Sequence, residues 1–104
     1  PKSADDWELS KTLVKYGASI GANSTIRCGI TLGDWCMIDS GSVVTHDVPQ
    51  YGLVFGNPAR LRGFVCPCGE RLQKVEEKAD VVVAQCPKCG HKVEINQKIW
   101  MVAK

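Results

Sequence analysis

The chain has 104 residues, a formal net charge of +2 and 23% charged side chains, which is ordinary for one small globular domain. That size excludes a large multidomain enzyme, and the small positive charge gives little electrostatic reason to expect nucleic-acid binding. No stretch approaches the roughly 20 apolar residues of a membrane span, and the N-terminal sequence lacks a secretory signal pattern, so we expect a cytoplasmic protein with no membrane or nucleic-acid partner.

An unbroken six-residue repeat of aliphatic side chains runs through the first half of the chain. Its members are Val14, Ile20, Ile26, Leu32, Ile38 and Val44. Helices and flat strands have other periods, whereas a coil of three short strands would place one aliphatic side chain inside on each of its sides. Six repeats therefore predict two coils that stack through parallel hydrogen bonds, about 4.8 Å apart.

Two further rows accompany the aliphatic one. Two positions before each aliphatic residue stands a mostly small residue, such as Cys36 or Ser42, which predicts a second inward row. Three positions after it we predict the corners, because Gly and Asn accept a left-handed backbone with little strain. The predicted corner residues are Gly17, Asn23, Gly29, Trp35, Gly41 and Asp47. The sequence thus predicts an N-terminal extension over 1–11, a prism over 12–48 and a closing segment over 49–63.

Four of the six cysteines form two short knuckles, Cys66-Pro-Cys68-Gly and Cys86-Pro-Lys-Cys89-Gly. In a chain without a secretion signal, paired knuckles indicate a metal site rather than a disulfide framework. We predict that all four cysteines bind a structural zinc ion as thiolates, and that the glycines after Cys68 and Cys89 free backbone N–H groups to donate toward sulfur. Four reduced cysteines without metal are the alternative.

The residues between and after the knuckles predict antiparallel strands over 72–75, 81–84 and 92–95. Carried on such strands, the knuckles make a zinc ribbon over 64–104. The whole chain is therefore predicted to be all-β, with a short parallel β-helix of about two coils followed by a small antiparallel zinc ribbon.

The repeat, the segment Gly56-Asn57-Pro58-Ala59-Arg60 and the Cys66-Pro-Cys68-Gly69 that follows resemble the hexapeptide-repeat acyltransferases of the left-handed β-helix fold. The likeness covers residues 12 to about 70 and is greatest to the nucleotide-sugar N-acetyltransferases. This resemblance implies a left-handed helix and a homotrimer with sites in the clefts between neighbouring prisms. It also implies an acetyl-CoA-dependent N-acetyltransferase that acts on an amino sugar or a nucleotide-linked amino sugar.

The resemblance also implies cofactor contacts at one corner and in the closing segment. These residues are Gly41, Ser42, Asn57, Pro58, Ala59, Arg60 and Arg62. Arg60 and Arg62 are the expected partners of the CoA phosphates, since a guanidinium can chelate phosphate oxygens. The alternatives are structural: corner glycines needed only by the backbone, and arginines that lie in solvent.

The sequence does not identify a catalytic base. Of the two histidines, His46 is the candidate, although a lone histidine usually has a structural role, and His91 follows the second knuckle. A catalytic zinc like that of the carbonic anhydrases of this fold would need three histidines and is excluded. Two coils rise only about 10 Å, too little to hold a whole CoA, so we expect the C-terminal part of a longer enzyme, as a fragment or as a shortened relative.

A second hypothesis comes from a different functional class. In it the chain is a non-catalytic assembly module whose prism forms a trimer and whose zinc ribbon contacts another protein. A nucleic-acid-binding ribbon ranks third, because residues 64–104 carry only two more basic than acidic side chains.

Overall fold

The computed structural model describes residues 11–103, so the predicted N-terminal extension lies outside the described residues except for Lys11. Six two-residue strands come first, at six-residue intervals. They are β1 (Leu13–Val14), β2 (Ser19–Ile20), β3 (Thr25–Ile26), β4 (Thr31–Leu32), β5 (Met37–Ile38) and β6 (Val43–Val44). Within residues 11–103 no helix has both the length and the apolar character needed to cross a membrane.

These strands stack in parallel with a register of eighteen residues. Leu13 pairs with Thr31 in β1–β4, and β2–β5 and β3–β6 repeat that offset. Three short strands therefore complete one coil, and the next coil lies directly on it. This arrangement confirms the all-β prediction and the two coils that the six-residue period indicated.

Five of the six predicted corners have the expected left-handed backbone, with φ between +59° and +84°. The exception is Asp47, where the prediction was wrong because Val48 follows Val44 by four residues and not six, so the second coil is two residues shorter than the first. Val48 pairs with Leu32, and the next left-handed residue is Tyr51 at φ +63°, sixteen residues after Trp35 rather than eighteen. The chain thus leaves the six-residue period at the end of its second turn around the prism.

The principal core of the prism lies in the second and third coils. Its fully buried side chains include Leu32 and Ile38 of the repeat, together with Cys36 from the small inward row. Burial raises the pKa of the Cys36 thiol to about 11, so this cysteine is an inert packing residue. In the first coil, by contrast, the inward Val14 and Ile20 are 50% and 45% exposed.

An antiparallel hairpin connects the prism to the second half of the chain. β7 (Gly52–Gly56) pairs in parallel with β5 and antiparallel with β8 (Ala59–Phe64), which gives a four-stranded sheet in the order β2-β5-β7-β8. Leu61 on β8 packs against the prism core and also against a second core that contains Phe64 and Leu72. The two halves of the chain are therefore in apolar contact.

The second half contains the three predicted antiparallel strands and one helix that was not predicted. The strands are β9 (Gln73–Glu77), β10 (Val81–Gln85) and β11 (Lys92–Asn96), in the order β11-β10-β9. Helix α1 (Gln97–Val102) follows at once, and the Asn96 side chain accepts hydrogen bonds from the N–H groups of Lys98 and Ile99. This N-cap is the local reason why the chain turns helical there.

Candidate functional site

Two segments that the resemblance assigned to the cofactor lie side by side in the structure. The first is the corner between β5 and β6, which contains Gly41. The second is the hairpin tip between β7 and β8, residues 56–59. Asp39 N–H donates to the Val54 carbonyl at 3.1 Å, so β7 runs beside β5 up to the corner that follows β5. Strand β6, on the other side of that corner, contacts both β7 and β8. The corner after β5 and the hairpin of β7 and β8 are therefore neighbours in the structure, although they come from distant positions in the chain.

At the corner, the two predicted residues differ in what they present. Gly41 has φ +72°, and a Cβ placed there would have no other atom within 4 Å, so open space lies beside the backbone. Ser42 is 1% exposed, and its hydroxyl donates to the Asp39 carbonyl at 2.7 Å. Ser42 is therefore closed to a ligand from solvent, whereas Gly41 presents an open surface.

The hairpin tip is held by an unusual backbone. Gly56 has φ +106° and the Asn57–Pro58 peptide bond is cis. Asn57 and Pro58 are exposed, while Ala59 packs against the prism core. The tip therefore presents the amide of Asn57 and the ring of Pro58 to solvent beside the Gly41 corner.

The two predicted phosphate ligands lie on β8 in different environments. Arg60 is exposed. Arg62 is half-buried, and its guanidinium carbon lies 5.1 Å from the centre of the Phe55 ring, a cation–π contact. Arg60 is thus available to a ligand from solvent, whereas Arg62 is fixed against the hairpin.

A groove that was not predicted lies between the prism and helix α1, and we call it the α1 groove. It has a volume of about 490 Å³, and Asp34 and Asp47 line it together with Lys15. Asp34 accepts a hydrogen bond from Tyr16 N–H at 3.1 Å, and Asp47 accepts one from Thr31 N–H at 2.8 Å. The apolar part of the lining comes from Val48, Leu61, Ile99 and Val102.

The eighteen-residue register is the sequence signal that could have placed Asp34 beside Tyr16. Nothing in the sequence indicated that helix α1 would complete the groove, because the helix comes from the far end of the chain.

The candidate base His46 is exposed and lines a second, open groove with Arg27, Cys28 and Asp47. Its Nδ1 lies 3.0 Å from the Thr45 hydroxyl oxygen. Asp47 lines both this groove and the α1 groove, so a carboxylate links the two.

The four knuckle cysteines form one cluster, in which all Sγ atoms lie within 4.8 Å of one another. Cys66 and Cys89 are 3.5 Å apart, and so are Cys68 and Cys86. Tetrahedral zinc with Zn–S bonds of about 2.3 Å places its sulfur atoms about 3.8 Å apart, so the donor set fits this metal in number, type and spacing. None of the six cysteines, all within the described residues, forms a disulfide.

Backbone hydrogen bonds within the cluster favour the thiolate form of Cys86. Hydrogen bonds from the backbone of Cys89 and Lys88 lower the pKa of Cys86 to about 6, and Cys89 N–H lies 3.4 Å from the Cys86 sulfur. Burial raises the pKa of Cys66 to about 12, which favours the protonated thiol in the absence of a cation.

The glycines after the knuckles use their own N–H groups to close the turns, while the backbone N–H of Cys89 donates to the Cys86 sulfur. Gly69 N–H donates to the Cys66 carbonyl at 2.8 Å, and Gly90 N–H donates to the Cys86 carbonyl at 3.0 Å. Both glycines have positive φ, which directs their N–H groups back into the turn. They close the knuckles and leave the sulfur atoms to other donors.

Comparison with known proteins places this architecture in a family. Residues 17–46 match the hexapeptide repeat of succinyl-transferase. Over 80 residues the chain is 50% identical to the dTDP-3-amino-3,6-dideoxy-alpha-D-galactopyranose 3-N-acetyltransferase of Aneurinibacillus thermoaerophilus. That alignment covers 77% of this chain and 40% of the other enzyme, so the chain spans less than half the length of this relative.

Solved structures give the same result for the fold. A serine acetyltransferase in complex with cysteine superposes with a TM-score of 0.54 and 32% identity, over 62% of this chain and 24% of the other. A hexapeptide-repeat-containing acetyltransferase from Vibrio cholerae O1 biovar eltor, complexed with acetyl coenzyme A, superposes with a TM-score of 0.51 and 34% identity. The second match covers 53% of this chain and 30% of that one.

Proposed function

Since this chain belongs to the hexapeptide-repeat acyltransferase family, we propose that it is an acetyl-CoA-dependent N-acetyltransferase, or the C-terminal part of one. Its proposed acceptor is an amino sugar or a nucleotide-linked amino sugar. The 50% identity over 80 residues with the dTDP-amino-sugar N-acetyltransferase carries this proposal. The Vibrio cholerae relative, which was solved with acetyl coenzyme A, supports acetyl-CoA as the co-substrate.

In the proposed reaction, the protein contributes mainly by positioning the acceptor amine and the thioester. A thioester is already activated, so holding an amine against its carbonyl supplies several kcal/mol of the barrier reduction. Corner backbone such as that at Gly41, with open space beside it, allows close approach of the pantetheine arm and of N–H donors to the thioester oxygen. Arg60, exposed on β8, is the proposed partner of the CoA phosphates.

His46 is the proposed general base. When its Nδ1 carries the proton and donates to the Thr45 hydroxyl, its Nε2 is the unprotonated atom that can accept a proton from the acceptor ammonium group. Asp47 in the same groove favours a cationic amine nearby. Its carboxylate also faces the α1 groove, which we propose as the entry for the acceptor.

We further propose that the cysteine cluster holds structural zinc in a zinc ribbon, with Cys66, Cys68, Cys86 and Cys89 as the ligands. Bound zinc would be coordinatively saturated by four thiolates, so its role would be to hold the fold and not to activate water. A homotrimer is the proposed assembly, because the active sites of this family lie in clefts between prisms.

Isothermal titration with CoA tests the proposed activity at its binding step. The metal-loaded chain is expected to bind CoA, and Arg60→Ala is expected to weaken binding about tenfold, which is the effect of losing one charge-assisted phosphate contact near the surface. Lys74→Ala is the matched control, because it removes one exposed positive charge on β9. Absence of heat at millimolar CoA, together with a trimer by sedimentation, would instead support the assembly-module hypothesis.

A further inference from the structure

The four cysteines of the cluster differ in their exposure to solvent. Cys66 and Cys86 are buried, whereas Cys68 and Cys89 are exposed. Each exposed cysteine has its sulfur atom 3.5 Å from the sulfur of a buried one in the other knuckle. Cys89 is paired in this way with Cys66, and Cys68 with Cys86. The cluster therefore contains two pairs of thiols, and in each pair solvent reaches one member and not the other.

This pairing provides what the formation of a disulfide bond requires. An oxidant from solvent reacts with an accessible thiolate, and a second cysteine must then lie close enough to attack the oxidised sulfur. Disulfide-bonded sulfur atoms are about 2.05 Å apart, so each pair has to close by only about 1.5 Å. Cys68 and Cys89 are placed to meet the oxidant, and Cys86 and Cys66 are placed to complete the two bonds.

The backbone holds each knuckle in place through hydrogen bonds that involve no sulfur atom. Cys66 N–H donates to the Glu70 carbonyl at 2.8 Å, and Cys86 N–H donates to the His91 carbonyl at 2.9 Å. Both buried cysteines also belong to the second core, together with Phe64. We therefore expect the two knuckles to keep their positions while the bonds between their sulfur atoms change.

Two disulfide bonds at these positions would replace the links that a metal ion makes between the knuckles. They would join residues that are 23 and 18 positions apart in the chain. Closing loops of this length reduces the conformational freedom of the unfolded chain, which stabilises the folded state. A disulfide is also uncharged, so it suits the apolar surroundings of Cys66 and Cys86 in the second core.

We propose that the cluster is a redox-responsive clasp, in which hydrogen peroxide converts the zinc-bound thiolates to the disulfide bonds Cys66–Cys89 and Cys68–Cys86. In each pair the exposed thiolate attacks the O–O bond, takes one oxygen as a sulfenic acid and releases hydroxide. The buried thiolate then attacks that sulfur, so the S–S bond forms and a second hydroxide leaves. Four thiolates thus give four electrons to two molecules of peroxide, which take up four protons and become four molecules of water, and the zinc ion is released.

Loss of zinc by oxidation has a different consequence from loss of zinc by chelation. The oxidised, metal-free chain keeps its knuckles joined and stays folded, whereas the reduced, metal-free chain loses the link between them and opens. The inference rests on the proposed zinc ribbon and adds to it a reversible release of metal without unfolding of the three-stranded sheet. Reduction of the two disulfides by a dithiol restores the four ligands.

Titration of the full, reduced and zinc-loaded chain with hydrogen peroxide tests this proposal. An indicator dye measures the released zinc, a thiol reagent counts the remaining thiols, and mass spectrometry of unreduced peptides identifies the linked cysteines. Trypsin cleaves after Lys88 and so separates Cys86 from Cys89, while fragmentation spectra distinguish Cys66 from Cys68. For every two molecules of peroxide consumed, one zinc ion and four thiols should be lost, and the two cross-knuckle disulfides should form.

A matched variant and thermal melts separate the clasp from general oxidation of the chain. Cys28→Ser removes an exposed cysteine outside the cluster, so it should release zinc with the same stoichiometry and give the same disulfides. The oxidised, metal-free chain should melt within about 10 °C of the zinc-loaded chain and above the reduced chain treated with a chelator. A dithiol with added zinc should return the oxidised chain to its starting zinc content.

The proposal is overturned if zinc stays bound in excess peroxide, or if the disulfides join cysteines within one knuckle. Sulfinic acids in place of disulfides would overturn it too, and so would an oxidised chain that melts with the reduced, metal-free one. These results are distinguishable from failure of the proposed zinc site. Zinc that withstands peroxide would retain the zinc ribbon and reject the clasp, whereas a reduced chain that binds no zinc would reject both.

Discussion

Replacing Cys86 with serine is expected to release the proposed zinc ion and to unfold the three-stranded sheet. The second core contains few large side chains, chiefly Phe64, Leu72 and Ile95, and a module of about 40 residues rarely folds on so small a core. Structural zinc contributes on the order of 10 kcal/mol to folding in modules of this size. Its loss should lower Tm by at least about 15 °C, which corresponds to a loss of about 3 kcal/mol in a chain of this length.

Metal analysis and far-UV circular dichroism during heating measure both effects. Cys28→Ser is the matched control, because Cys28 is exposed and lies outside the cluster. It should keep one zinc per chain and the wild-type Tm. Treatment of the wild type with a strong chelator should reproduce the Cys86→Ser result. Unchanged melting after complete metal removal would show that the four cysteines do not depend on a metal.

Gly33→Ala is expected to destabilise the prism by about 3 kcal/mol or more. Gly33 is buried, and a Cβ there would lie 2.6 Å from the Gln50 nitrogen and 2.8 Å from the Pro49 carbonyl carbon. Both atoms belong to backbone, which cannot rotate away as a side chain can. The new methyl group must therefore push the third coil off the second and break the hydrogen bond from Gly33 N–H to the Val48 carbonyl.

Gly41→Ala provides the matched comparison. Residue 41 has a left-handed backbone but open space around it, so alanine should cost only about 1 kcal/mol, the penalty of its conformation. Urea denaturation at fixed zinc concentration measures both variants. Equal losses of stability at residues 33 and 41 would contradict the close stacking of the coils. Because Gly41→Ala remains folded, it also allows the proposed cofactor contact at this corner to be tested separately.

The repeat could be predicted because it reflects a local rule that holds at the first five corners. The aliphatic residue fills the inside, the left-handed residue turns the chain, and each needs only its own six residues. The end of the second coil breaks that rule. Val48 follows Val44 by four residues and not six, and this shorter step is visible only in the pairing of Val48 with Leu32 and of Val54 with Ile38.

The candidate site divides in the same way. The knuckles predict their own cluster, because two short turns determine which thiols meet. The α1 groove requires helix α1 to pack against distant strands, and no spacing in the sequence reports such contacts. The helix itself could have been predicted from Asn96, which is a favourable N-cap residue ahead of Gln97 and Lys98.

Leu61 couples the local unfolding of the two halves of the chain. Because this side chain belongs to both cores, unfolding of the metal-binding half removes one wall of the prism interior. Amide hydrogens in β5 and β7 should therefore exchange with solvent more slowly as zinc occupancy rises, although none of the four cluster cysteines lies on those strands. Zinc occupancy would then determine how long the last coil of the prism stays folded between local openings.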